Sequence, residues 1–248
     1  MVEMDELNTK GVKLELEGYS LYEEGKKLES SSRTVGEMKE VLLSPEAASS
    51  DAAADKLYYM YRAPGVAKNP VFSDKKLRYD VTIMAPYSLG KEFNKTLGHY
   101  HPLAEKDLCY PELYEVIEGN ATYLLQKRLP DSRYDVVLVK ARAGDKVLMP
   151  PNYGHITINT GPGRLIMANL VSSEFSSDYN PIVLMKGGAV YLLTDGSVVV
   201  NKEYRRFSLS MLDRAPNFGI PMGEGSIYDL FLADPEKFDF LNKPSQLR

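Results

Sequence analysis

The chain has 248 residues, 44% of them hydrophobic, with a formal net charge of −4 and a single cysteine. A length past about 200 residues accommodates one large all-β domain or two small ones, and one decorated domain is the simpler reading. The slight acidic excess supplies no basic patch for nucleic acid, the lone Cys109 rules out an internal disulfide, and no apolar run approaches the roughly 18 residues of a membrane span.

The opening Met1-Val2-Glu3-Met4-Asp5-Glu6 has neither the basic start nor the apolar run of a secretory leader, so the expected compartment is the cytoplasm. Residues 1–54 mix charge, serine and alanine and read as a helical or irregular extension, with a short amphipathic helix over 35–43 before Pro45. From Leu57 onward the chain breaks into short runs rich in Tyr, Val, Ile and Thr, punctuated by Pro and Gly. That texture predicts strands over 56–62, 77–84, 113–117, 121–126, 134–139, 146–149, 155–159 and 165–170. Gly119-Asn120 reads as a tight hairpin signal and Gly144-Asp145 as a turn. Further runs over 182–185, 190–193 and 198–200 complete an antiparallel all-β domain over 55–205. The tail from 206 loses this rhythm but carries Phe207, Phe218, Tyr228, Phe231, Phe238 and Phe240. So many aromatics predict packing on the domain or on a subunit partner.

The three histidines of the chain sit in two short motifs: Gly98-His99-Tyr100-His101 and Pro150-Pro151-Asn152-Tyr153-Gly154-His155. Residues two apart in extended chain point the same way, so His99 and His101 can reach one ion together. Glu112 in Pro111-Glu112-Leu113-Tyr114 is the expected carboxylate partner. If Glu112 looks inward it brings the phenol of Tyr114 beside the metal as a donor, whereas Glu115 falls on the opposite face with Leu113 and Ile117. Three imidazoles and a carboxylate suit one divalent first-row transition metal with positions left for substrate; iron(II) is favoured, and manganese, nickel, cobalt or zinc fit the same ligands.

Gly98-His99-x-His101 followed by Glu112 and Gly119, and later Gly144-Asp145-x4-Pro150-x4-His155, resembles the two motifs of the cupin superfamily, a small jelly-roll-like barrel with metal at its mouth. The gap from His101 to Glu112 is longer than usual and reads as a loop inserted over 102–111. Gly90-Lys91-Glu92-Phe93, Thr96, Glu112-x-Tyr114, Leu124-Leu125-Gln126 and Val147-x-x-Pro150-Pro151 with His155 and Asn159 more narrowly resemble the cupin-type glucose-6-phosphate isomerases, over roughly residues 55–200. The resemblance implies a homodimeric enzyme that interconverts glucose 6-phosphate and fructose 6-phosphate in glycolysis and gluconeogenesis. It assigns His99, His101, Glu112 and His155 to the metal and Tyr58, Thr82, Thr96 and Gly98 to the sugar phosphate. Glu112 and Tyr114 become the candidates for proton transfer and hydrogen-bond donation, while a direct hydride shift between carbons stays open as the other route.

Two positions depart from that family. Asn152 stands where an aromatic hydroxyl is common, and Ser176-Ser177 stand where a histidine can precede Asp178-Tyr179. With every histidine on the metal, Tyr153, Tyr179, Lys127 or ordered water is left to assist ring opening, or else the enzyme takes up open-chain sugar. The same ligand set also serves cupin dioxygenases and non-catalytic sugar-phosphate-binding cupins, which are the alternatives to isomerisation.

Overall fold

A computed structural model describes residues 5–7, 11–49, 51–216 and 223–247. Two β-sheets face each other across the main core. The larger has six strands in the order Lys146–Met149, Glu112–Glu118, Leu165–Ser172, Leu77–Met84, Lys56–Arg62 and Ser31–Thr34. The smaller runs Gly154–Asn159, Asn120–Arg128, Tyr134–Arg142 and Phe207–Leu212. Each run expected between residues 56 and 170 forms a strand, because alternating side chains there have an apolar layer to enter on at least one face.

The Leu77–Met84 strand shows how sequence and layers correspond. Arg78, Asp80, Thr82 and Met84 project between the sheets, while Leu77, Tyr79, Val81 and Ile83 project outward into a second core. That second core is capped by Leu14, Leu16 and Leu21 from the N-terminal segment and by Ile227, Tyr228, Phe231, Phe238, Phe240 and Leu241 from the C-terminal one. Each such large apolar side chain contributes roughly 1.5–3 kcal/mol of burial. The outer face of the large sheet is therefore as dry as the inner one.

Several expectations are corrected. The N-terminal stretch, read as helical or irregular, contains a four-stranded meander, Asp5–Leu7, Leu14–Glu17, Ser20–Glu23 and Lys26–Lys27, and then Ser31–Thr34, which extends the large sheet. Leu14 and Leu16 alternate with Glu15 and Glu17 at period two, the signature of a half-buried strand rather than a helix. The helix expected over 35–43 is a 3₁₀ helix, Gly36–Val41, with Met38 and Val41 buried. Residues 182–185 are not a strand: Asn180–Leu184 is a short helix, started by Pro181 in its first turn and burying only Ile182.

Gly119 is not a hairpin tip either. The strands it separates lie in different sheets, so the chain turns a corner there, at φ 87°, with room for no Cβ because Arg164 O would be 2.6 Å away. The rhythm also continues past residue 205, since Phe207–Leu212 is an edge strand that pairs in parallel with Tyr134–Arg142 in an otherwise antiparallel sandwich. Of the aromatic tail, Phe218 lies outside the described residues. Among the described residues no helix is long and apolar enough to cross a membrane.

Candidate metal centre

The centre is built from both sheets at one open end of the sandwich. His155 is the second residue of the Gly154–Asn159 strand at the edge of the smaller sheet, and the segment carrying His99 runs antiparallel beside it through two backbone hydrogen bonds, His99 N to His155 O at 3.2 Å and His155 N to His99 O at 3.0 Å. His99 and His155 are thus direct cross-strand neighbours, and His101 returns to the same side two residues on. Glu112 enters from the larger sheet, opposite Met149 on one side and Val171 on the other.

His99, His101, Glu112 and His155 each offer one ligand atom, and these atoms all lie within 4.8 Å of one another. His99 Nε2 and His101 Nε2 are 3.1 Å apart, and Glu112 Oε2 is 3.4 Å from His101 Nε2 and 3.2 Å from His155 Nε2. The last approach lacks hydrogen-bond direction, so Glu112 Oε2 and both ring nitrogens of His155 are buried without a partner. Buried polar atoms are ordinarily satisfied, and a convergent unsatisfied set fits a cation that would bind them all. His101 Nδ1 donates to Tyr110 O at 2.8 Å, which fixes the tautomer that leaves Nε2 free to ligate.

The electrostatics favour neutral imidazoles at His99 and His101. Burial and the neighbouring His155, His101 and Arg62 hold His99 well below its usual value, and burial, opposed by Glu112, takes His101 down to about 4. Burial pushes the Glu112 carboxyl upward, but the closeness of His155, His101 and Arg78 together outweighs it and keeps the group ionised. Tyr114 goes the other way. Burial and the adjacent Glu112 raise its phenol well above 10, so it remains a donor.

Glu115 shows the inward choice of Glu112 from the opposite side of the strand. It points into the outer core, where its Oε2 accepts a 2.8 Å hydrogen bond from Ile227 N at the start of the C-terminal helix.

The cleft over this centre holds about 590 Å³, open solvent at its mouth included. Tyr58, Thr82, Thr96, Gly98, Tyr114 and Tyr179 all line it with the four ligands. Tyr58 Oη accepts from Leu97 N at 3.2 Å and Thr96 Oγ1 from Thr157 N at 2.9 Å, so each hydroxyl keeps its own proton to donate. Gly98 sits at φ 81° with its Cα pressed on Ile156, where a Cβ would come within 2.4 Å of Cγ1. Tyr179 lies 5.4 Å from the His99 ring.

Tyr153 does not join them. Its hydroxyl is turned to Asp135 Oδ2 and Lys127 Nζ stands 5.7 Å over its ring, and neither side chain lines the cleft; Tyr153 lies instead in a separate apolar pocket with Leu125, Val137 and Val147. Asn152 has a structural task that an aromatic could not perform. At φ 70°, a conformation asparagine tolerates, its amide accepts from Cys109 N at 2.8 Å and donates to Asp107 O at 2.9 Å. It thereby pins the inserted 102–111 segment, which folds as a small hairpin of Leu103–Glu105 and Leu108–Cys109.

Sequence reasoning passed over Arg62, Arg78, Asn169 and Phe175, which also line the cleft, as does Ser177 of the Ser176-Ser177 departure. Alternation carried the signal for the arginines, since Arg62 shares a strand face with Tyr58 and Arg78 with Thr82. Phe175, whose ring lies 4.5 Å from that of His101, sits in a loop with no periodic pattern to betray it.

Two facing sheets with a His-x-His pair, a carboxylate and a third histidine converging at their open end define a cupin. More particularly, the chain belongs to the glucose-6-phosphate isomerase (GPI) family, whose model matches residues 32–208. It is 31% identical over 126 residues to the glucose-6-phosphate isomerase of Thermococcus onnurineus (strain NA1), a match covering 51% of this chain and 62% of that protein. The enzyme of the same name from Thermococcus litoralis is 30% identical over 124 residues, covering 50% and 61%. A putative glucose-6-phosphate isomerase 1 of Rhizobium meliloti (strain 1021) is 29% identical over 120 residues, covering 48% and 52%. The matched stretch thus spans less than two thirds of these relatives.

Proposed function

We propose that the protein interconverts glucose 6-phosphate and fructose 6-phosphate with one divalent transition metal per subunit held by His99, His101, Glu112 and His155, iron(II) being favoured. The convergence of those four ligand atoms within 4.8 Å, under a cleft of hydroxyls, carries the reading. A bound cation would polarise the sugar carbonyl and offset negative charge on its oxygens.

The chain's own groups divide the remaining work. The free O–H protons of Tyr58 and Thr96, with the backbone of Gly98 lining the cleft and the hydroxyl of Thr82, suit a phosphate without a cluster of arginines. The un-ionised phenol of Tyr114 donates to a sugar oxygen, and the ring of Tyr179 closes the cleft beside His99. Among the described residues the cleft has no imidazole beyond the ligand set, and Glu112 is a weak base. Deuterium at carbon 2 of glucose 6-phosphate is therefore expected at carbon 1 of the fructose 6-phosphate formed rather than lost to solvent. A homodimer working in the cytoplasm, in glycolysis and gluconeogenesis, completes the proposal.

The test is a coupled assay of fructose 6-phosphate conversion on protein as purified, after chelation, and after readdition of single metals. Activity lost on chelation and restored by one or more divalent transition metals is the expected result. Metal-replete protein that binds the sugar phosphate without turnover, or that consumes oxygen instead, overturns it.

A further inference from the structure

The interior face of the large sheet carries a charged cluster that metal binding does not use. Asp80, 1% exposed, accepts from Arg62 Nη1, from Arg78 Nε at 2.8 Å and from Ala63 N at 3.1 Å. One arginine would neutralise this carboxylate. Two leave a net positive charge, and both guanidiniums line the metal cleft with 49% and 32% of their side chains open to solvent.

Register places the cluster relative to the other groups. Arg62, Asp80, Asn169 and Tyr114 are successive cross-strand neighbours in one row, and Arg78, Val171 and Glu112 in the next. Tyr58 lies four residues before Arg62 on the same strand face, about 13 Å away at strand rise. The cleft thus has two charged ends, with hydroxyl donors and the Arg33 guanidinium, 5.8 Å over the Tyr179 ring, at the Tyr58 end, and the two guanidiniums fixed by Asp80 at the end beside Tyr114 and Glu112. An extended phosphorylated hexose with its phosphate at Tyr58 turns its carbonyl end toward Arg62 and Arg78.

We propose that Arg62 and Arg78, aimed by Asp80, are substrate-contacting residues that hold negative charge at the carbonyl end of the sugar phosphate, opposite the phosphate itself. This rests on the sugar-phosphate reading above. A guanidinium is suited to the task because its planar fork keeps N–H groups free after one edge is bound to the aspartate. It predicts a cleft that discriminates by charge at carbon 1.

The experiment compares two probes by calorimetry on metal-loaded protein: 6-phosphogluconate, with a carboxylate at carbon 1, and glucitol 6-phosphate, with a neutral hydroxyl there. Wild type is expected to bind the carboxylate probe about tenfold or more tightly than the neutral one, as for a desolvated charge pair. The double variant Arg62→Gln with Arg78→Gln should lose most of that preference while its affinity for glucitol 6-phosphate stays within about twofold. The double lysine variant, which keeps the charge without the fork and checks folding, should recover part of it. In turnover, the glutamine variant should lose kcat with the KM for fructose 6-phosphate little changed. A preference unaltered in both variants overturns this proposal and leaves the isomerase reading intact. Wild type that binds neither probe and turns over no sugar phosphate removes both.

Discussion

Glycine at position 98 does work that no other residue can do without moving the site. Its φ of 81° is costly for an L side chain, and the Cβ it lacks would stand 2.4 Å from Ile156 Cγ1 and 3.2 Å from His155 O. Gly98→Ala is expected to destabilise the protein by about 1–2 kcal/mol and, by displacing the Thr96–His99 backbone, to raise the KM for sugar phosphate several-fold. Chemical denaturation and steady-state kinetics check it, and an unchanged KM would contradict it. At this scale the sequence was most legible. The His-x-His spacing and the alternation of Glu112 against Glu115 could be turned into positions because side-chain direction in extended chain follows from parity alone. Tyr153 was not legible, because its local sequence motif could not show the asparagine-anchored turn that swings its hydroxyl toward Asp135.

The Glu112–Glu118 strand serves two clients, the cleft through Glu112 and the C-terminal helix through Glu115. Burial raises the Glu115 carboxyl, against the Ile227 N–H and Lys146 and with help from Asp229, above its ordinary 4.5. The folded state then holds this proton at pH values where the unfolded chain has released it. Its contribution to stability is greatest below 4.5 and declines as pH rises through the folded-state value. Glu115→Gln keeps an acceptor for Ile227 N and removes the titration, so the wild type should lose ground to the variant between pH 4 and pH 7. A difference in denaturation midpoint that does not change over that range would refute it. Elements proved harder to place than residues. Strands over 56–170 announced themselves by alternation, but Leu14-Glu15-Leu16-Glu17 shows the same alternation inside a stretch whose charge and alanine content suggested helix. Tyr191 and Val190 fall in a short pair with Val198–Val200, whereas the equally apolar 182–185 lies in a helix because Pro181 starts one.

Across the whole molecule the metal ligands are contributed by both sheets, Glu112 by the larger and His155 by the smaller. An ion bound to all four would join the two layers at their open end and bind only the folded chain. At a metal concentration a hundred times the dissociation constant this adds about 2.7 kcal/mol, a rise of roughly 5–10 °C in Tm for a chain of this size. Glu112→Gln should abolish most of the shift, as seen by thermal unfolding with and without metal. An equal shift in the variant would mean the ion binds elsewhere. Which strand neighbours which was not legible, because pairing partners such as 112–118 with 165–172 are far apart in sequence and leave no local trace.

The corner at Gly119 carries a kinetic corollary. By delivering consecutive strands to opposite layers, it denies the large sheet a hairpin seed there, and the Tyr134–Arg142 strand must wait for Phe207–Leu212 to arrive from far downstream. Such topologies close long loops before gaining contacts, so refolding should proceed over milliseconds to seconds. The N-terminal meander, the run Ser31–Thr34, Lys56–Arg62 and Leu77–Met84, and the 120–142 hairpin are β-structures whose neighbours follow one another along the described chain, and any of them can serve as a nucleus.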